Sequence, residues 1–138
     1  MSTAKLAVKQ TVSVVVPFEI PKQRISDLLC GAFEGGSNYW YQIVSQTKPP
    51  ALEFRTDSEH IYTHLDYPLN EGGALMIGDL EEPERKPIRL ALAQLKLGLE
   101  RMAKDYPTHW ADFINENDDS STADVFLQLC LFGEVIYG

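Results

Sequence analysis

The chain has 138 residues, 44% of them hydrophobic, and its 20 acidic against 12 basic groups give a formal charge of −8. That length fits one domain spanning residues 1–138, with enough core to fold without a metal or disulfide staple. The composition excludes a disordered chain, and so acidic a balance argues against general duplex-DNA binding.

No apolar run reaches the length of a bilayer span, and MSTAKLAVKQ shows no signal-peptide core, so a cytoplasmic protein is expected. Cys30 and Cys130 stand too far apart for a zinc knuckle and form no disulfide framework.

Residues 6–18 alternate. Val8, Val12, Val14, Val16 and Phe18 share one face with Gln10, while Lys9, Thr11 and Ser13 point the other way. Period two with β-branched residues predicts a half-buried strand, ended by Pro17 and Pro21. From Pro21, the apolar residues Ile25, Leu28, Leu29, Ala32 and Phe33 recur at helical spacing, and Gly35-Gly36 stops that helix. Ser37–Val44 is aromatic and ambiguous between strand and helix. Strands are expected at Leu52–Arg55, His60–Leu65 and Ala74–Ile77, followed by a charged connection from Glu81 to Pro87.

Pro87 opens the strongest helical pattern, carried by Ile88, Leu92, Leu95, Leu99 and Met102, and Tyr106-Pro107 closes it. A short helix over His109–Asn115 would bury Trp110, Phe113 and Ile114. Ser121 is expected to cap a last helix, Ala123–Phe132, that ends at Gly133. That helix is apolar nearly all round, which places it in the core or in a subunit interface of a homo-oligomer. The order of elements predicts an α+β fold, a small antiparallel sheet packed with about four helices.

Several constellations carry possible chemistry. Glu34-Gly35-Gly36-Ser37-Asn38-Tyr39-Trp40-Tyr41 combines glycines that admit close approach with three aromatic faces, and Glu34 and Asn38 could read polar edges of a stacked base. The competing reading is a helix end followed by a core aromatic cluster. Arg55, Arg85 and Arg89 could meet phosphates, the last two standing one turn apart and able to clamp a phosphate together. The run from Asn115 to Ser121 lacks the spacing of a calcium loop and reads as a turn and helix cap. Its Glu116, Asp118 and Asp119 belong to residues 105–138, a stretch without Lys or Arg that could mimic nucleic-acid phosphates. His60 and His64 stand four apart, and His109 has no paired nucleophile; no zinc-like ligand set accompanies them, so neither a metal nor a cofactor is expected. No nucleophile elbow, phosphate-binding loop, dinucleotide fingerprint or metalloprotease motif is present.

In the blocks ISDLLCGAFEGGSNYWY (25–41), HLDYPLNEGGALMI (64–77) and HWADFINENDDSSTADVFLQLCLFGEVIYG (109–138), the chain resembles small proteins of unassigned function from tailed phages and prophages. The resemblance implies an accessory protein made inside a bacterial cell, where blocking a host defence is a common task. It carries no site residues. The expected function is therefore non-catalytic: sequestering a nucleotide-derived defence signal through Glu34, Asn38, Tyr39, Trp40, Tyr41, Arg55, Arg85 and Arg89. The alternative is an acidic inhibitor that binds a bacterial defence protein directly through Glu116, Asp118 and Asp119. A nucleotide-processing enzyme using Glu34 or Asp119 as acid or base is a third reading, and a role in phage assembly stays open.

Overall fold

Helix α1 (Lys22–Gly31) begins after Pro21, whose carbonyl accepts from the Arg24 amide at 3.0 Å. Its Ile25, Leu28 and Leu29 turn inward, and the chain continues through a wider π-helical turn, Ala32–Gly36, to the predicted Gly-Gly stop. The computed structural model describes residues 10–52 and 63–138. Strand β1 (Tyr41–Thr47) follows, resolving the ambiguity at Ser37–Val44 into a turn and then a strand. β2 (Ala74–Asp79) lies at the centre of the sheet, antiparallel to β1 on one side and to β3 (Ile88–Leu90) on the other. The register pairs Tyr41 with Asp79, Ile43 with Ile77 and Leu75 with Leu90, with a bulge at Val44. The fold is α+β, as the sequence predicts.

Helices α2 (Leu92–Asp105), α3 (Pro107–Ile114) and α4 (Ser120–Phe132) complete the core. At the start of α2 the Gln94 side chain accepts the Ala91 amide at 3.0 Å; Ala91 has no side-chain oxygen to return the bond. α2 and α4 approach closely because Gly98 has no Cβ, which would collide with Cys130 Sγ. Asp119 caps α4 by accepting from the Thr122 amide at 3.1 Å, and Gly133 closes it in the left-handed conformation at φ 79°. Arg101 reaches across from α2 to donate to the Leu129 carbonyl at 2.8 Å, near the negative end of α4. Leu28, Leu29, Trp40, Leu75, Leu90, Leu95, Met102, Phe113, Phe126 and Leu127 are sealed between the helices and the sheet. No helix among the described residues is long and apolar enough to cross a membrane.

Several expectations are corrected. The helix read from Pro87 starts at Leu92, because Ile88 and Leu90 pair with Ile77 and Leu75 as a sheet edge before it begins. Sheet pairing overrides helical spacing there. Leu52 ends a 3-10 turn, Pro50–Leu52, and the later half of the His60–Leu65 strand is a 3-10 segment, Thr63–Leu69; the rest of both expected strands lies outside the described residues. The cap of the last helix is Asp119 rather than Ser121; α4 itself lies in the core, one of the two places expected for it. Most consequentially, residues 11–20 form no strand, and Val12, Val14, Val15, Val16 and Phe18 are exposed, while residues 6–9 of the expected strand lie outside the described residues. The alternation is real, but among the described residues it has no ladder to join.

Candidate functional site

The π-helical turn swings residues 37–40 across the first turns of α4. Gly36 is required at this crossing, since a Cβ would strike the Ser120 carbonyl. Asp124, one turn into α4, then gathers four donors. Its Oδ1 accepts from Ser37 Oγ at 2.7 Å and Trp40 Nε1 at 2.8 Å; its Oδ2 accepts from Tyr39 OH at 2.7 Å and Gln128 Nε2 at 3.1 Å. A carboxylate offers about four lone-pair sites. All four are taken, so Asp124 anchors its neighbours.

Gln128 extends the network. Its buried amide oxygen accepts the Ile136 and Tyr137 amides, each at 2.9 Å, and its nitrogen also donates to the Tyr137 carbonyl at 3.2 Å. Tyr137 OH donates to Asp79 Oδ2 at 2.7 Å. Asp79 Oδ1 accepts the Glu81 and Glu82 amides at 2.9 and 3.2 Å, and Arg85 Nε lies 3.2 Å from Oδ2. The Arg85 guanidinium covers the Phe132 ring at 5.1 Å. One polar chain thus fixes the last residues against α4, the end of β2 and the 81–85 loop.

Gly36, Tyr39, Ser120, Ser121, Asp124 and Tyr137 line most of an open cleft of about 330 Å³ over this network. Tyr39 is 45% exposed. Partial burial, reinforced by the hydrogen bond to Asp124, pushes its phenol up to about 12. Desolvation and the Asp79 carboxylate likewise raise the Tyr137 phenol above its ordinary value.

The predicted site residues separate. Trp40 is fully buried against Phe132 and Tyr137, so it is a core residue and offers no stacking face. Tyr41 is half-buried, donates to the Phe33 carbonyl and tilts against the Phe33 ring at 4.9 Å. Only Tyr39 of the three aromatics reaches the cleft. Glu34 and Asn38 are exposed outside it, Asn38 donating to the Glu34 carbonyl at 3.2 Å. Arg85 enters the same network but is neutralised by Asp79, while Arg89 stands exposed on β3. Because that segment is a turn and a strand, the expected one-turn phosphate clamp does not form. Arg55 and His60 lie outside the described residues.

The acidic run is not a free stripe. Asp118 pairs with Arg24 at 3.1 Å, and Arg24 also donates to the Phe113 carbonyl and covers the Phe113 ring. Asp119 is spent as a cap, and the Thr122 backbone bond holds its carboxyl below the usual range. Glu116 keeps an exposed side chain, at φ 59°, with Arg24 at 4.0 Å. His109 Nδ1 lies 3.1 Å from Thr122 Oγ1, inside the same capping cluster. Among the described residues no group of three or more histidine, cysteine and acidic side chains is arranged to hold a metal ion.

Sequence reasoning missed Asp79, Asp124, Gln128 and Tyr137. A signal existed for one of them: a glutamine inside a helix apolar nearly all round must find buried partners. No protein family matches the sequence, and neither the curated proteins nor the solved structures hold a significant relative.

Proposed function

We propose that the chain is a non-catalytic binding protein that takes a nucleotide-derived ligand in the Tyr39 cleft, acting as a phage or prophage accessory protein against a bacterial defence signal. The observation that carries the reading is the half-exposed Tyr39 ring, held at the wall of the cleft by Asp124. An aromatic face fixed before binding costs little entropy to use. Stacking of one base contributes about 1–3 kcal/mol, and the Ser120 and Ser121 hydroxyls add polar partners on the same wall.

The cleft's 330 Å³ falls at the small end of ligand sites, about 300–1,000 Å³. That size suits one nucleoside-sized unit of a ligand. Asp124, with its lone pairs filled, supports binding without chemistry. The setting in a phage-infected cell rests on the sequence resemblance alone.

A thermal-shift screen against mononucleotides, cyclic oligonucleotides and ADP-ribose derivatives tests the proposal. A ligand at 100 times its Kd is expected to add about 2.7 kcal/mol. Tyr39→Ala should abolish most of that shift and Tyr39→Phe should keep much of it, with the ligand recovered at unchanged mass. No shift with any nucleotide, or an altered mass on release, overturns the reading.

A further inference from the structure

We infer that residues 134–138 are a strap that gates the Tyr39 cleft: hinged at Gly133, it lifts Tyr137 off Trp40 and turns a cleft for one ring into a site for two. The ligand part of this inference rests on the nucleotide reading above. The strap itself rests on three observations.

First, the strap is part of the cleft. Val135, Tyr137 and Gly138 line it together with Tyr39. A Cβ on Gly138 would lie 3.2 Å from the Tyr39 OH, so the strap backbone packs beside that phenol.

Second, the strap hangs on side chains. Gly133 ends α4 in the left-handed conformation, and residues 134–138 form neither helix nor strand. Gln128 accepts the Ile136 and Tyr137 amides, and Asp79 accepts the Tyr137 OH. Asp124 Oδ2 takes donors from both Tyr39 and Gln128, so the cleft wall and the strap share one anchor. A segment held in this way opens locally, at a lower cost than unfolding the whole domain.

Third, Tyr137 stands between the cleft and Trp40. It lines the cleft, while its ring lies 5.8 Å from the Trp40 ring and meets Phe132 edge-on at 6.0 Å. With the strap in place Trp40 is fully buried. Once Tyr137 leaves, the indole presents a face beside Tyr39, still fixed by its bond to Asp124. A nucleobase offers the same flat aromatic surface as the ring it would replace. The ligand that gains from opening therefore carries two linked bases, a dinucleotide rather than a mononucleotide.

The test joins hydrogen exchange with binding of AMP and the dinucleotide pApA, for the native chain and Tyr137→Phe. In the native chain the Ile136 and Tyr137 amides should exchange by local opening, while those of Phe126 and Leu127 wait for global unfolding. Tyr137→Phe keeps the ring but removes the bond to Asp79, and should speed exchange of the two strap amides roughly 10-fold or more without moving the core ones. Apparent affinity scales with the open fraction, so the preference for pApA over AMP should rise by a similar factor. Strap amides that exchange only with global unfolding, or a preference that stays fixed while the strap loosens, overturn the inference. If neither nucleotide binds either chain, the nucleotide reading fails and the two-ring site with it, whatever exchange shows of the strap.

Discussion

The sequence offers Trp40 as a stacking face and sets Val14 on the shared apolar face of a half-buried strand, and the fold buries the first and exposes the second. Trp40 is sealed, with its indole nitrogen bonded to Asp124 and rings of Phe132 and Tyr137 against it. Val14 stands in the open, in a segment that forms no strand among the described residues. The difference lies in partners. Beside Trp40, the buried Ser37 hydroxyl and the indole nitrogen both donate to Asp124, so burial stabilises. Around Val14 the described residues supply exposed apolar side chains and no strand for them to pack on. A finished core and an open segment therefore coexist in one small protein, and perturbing each should give opposite signatures.

The largest effect is expected at the finished end. Trp40→Ala should cost about 3–5 kcal/mol, the usual loss for a large buried aromatic, read by denaturant unfolding. Trp40→Phe tests the polar half alone. It leaves Asp124 Oδ1 with one donor fewer and should cost about 1–3 kcal/mol.

Next comes Gln128→Leu, which keeps the volume but leaves the Ile136 and Tyr137 amides without their acceptor. About 1–3 kcal/mol should be lost, and the segment after Gly133 should become the first site of limited proteolysis. Asp119→Ala removes the α4 cap and should cost about 0.5–2 kcal/mol. If it cost nothing while weakening a defence-protein partner, the acidic-inhibitor reading would return.

The smallest effect is expected at the open end: Val14→Asp should change stability by no more than about 0.5 kcal/mol. A large loss of stability would mean that this segment is part of the core, and the contrast would be wrong.

Alkaline pH sharpens the same contrast. The Tyr39 phenol is raised to about 12 in the folded protein against an ordinary 10.0. Between those values the folded state holds a proton that the unfolded chain releases, so this contribution to stability is full below pH 10 and lost as pH rises towards 12. Tyr39→Phe should flatten that part of the stability profile, measured by melting across the window. An unchanged slope would show that the Asp124 bond to Tyr39 is not what holds the proton.

Local signals made much of the fold legible. α1 follows from the spacing of Ile25, Leu28 and Leu29 after a proline, α4 from its apolar run before Gly133, and the break between α2 and α3 from Tyr106-Pro107. These rest on contacts within a few residues, which sequence order encodes directly. The α2 boundary was misread because Ile88 fits helical spacing equally well, and only its pairing with Ile77 decides for strand. The candidate site was legible only in part. Tyr39 and Trp40 were picked out by residue type, but nothing local distinguishes the exposed ring from the buried one.

What the sequence determined by itself was the α+β class, most helix ends and the alternation of residues 6–18, because backbone preference and periodicity are properties of neighbours. Tertiary structure alone decided that Asp124, 84 residues after Trp40, would bind its indole, that Gln128 would hold the last residues, and that Val12, Val14, Val15 and Val16 would be left outside. Those outcomes depend on which distant groups can satisfy one another once water is removed, and no short stretch of sequence contains both members of such a pair.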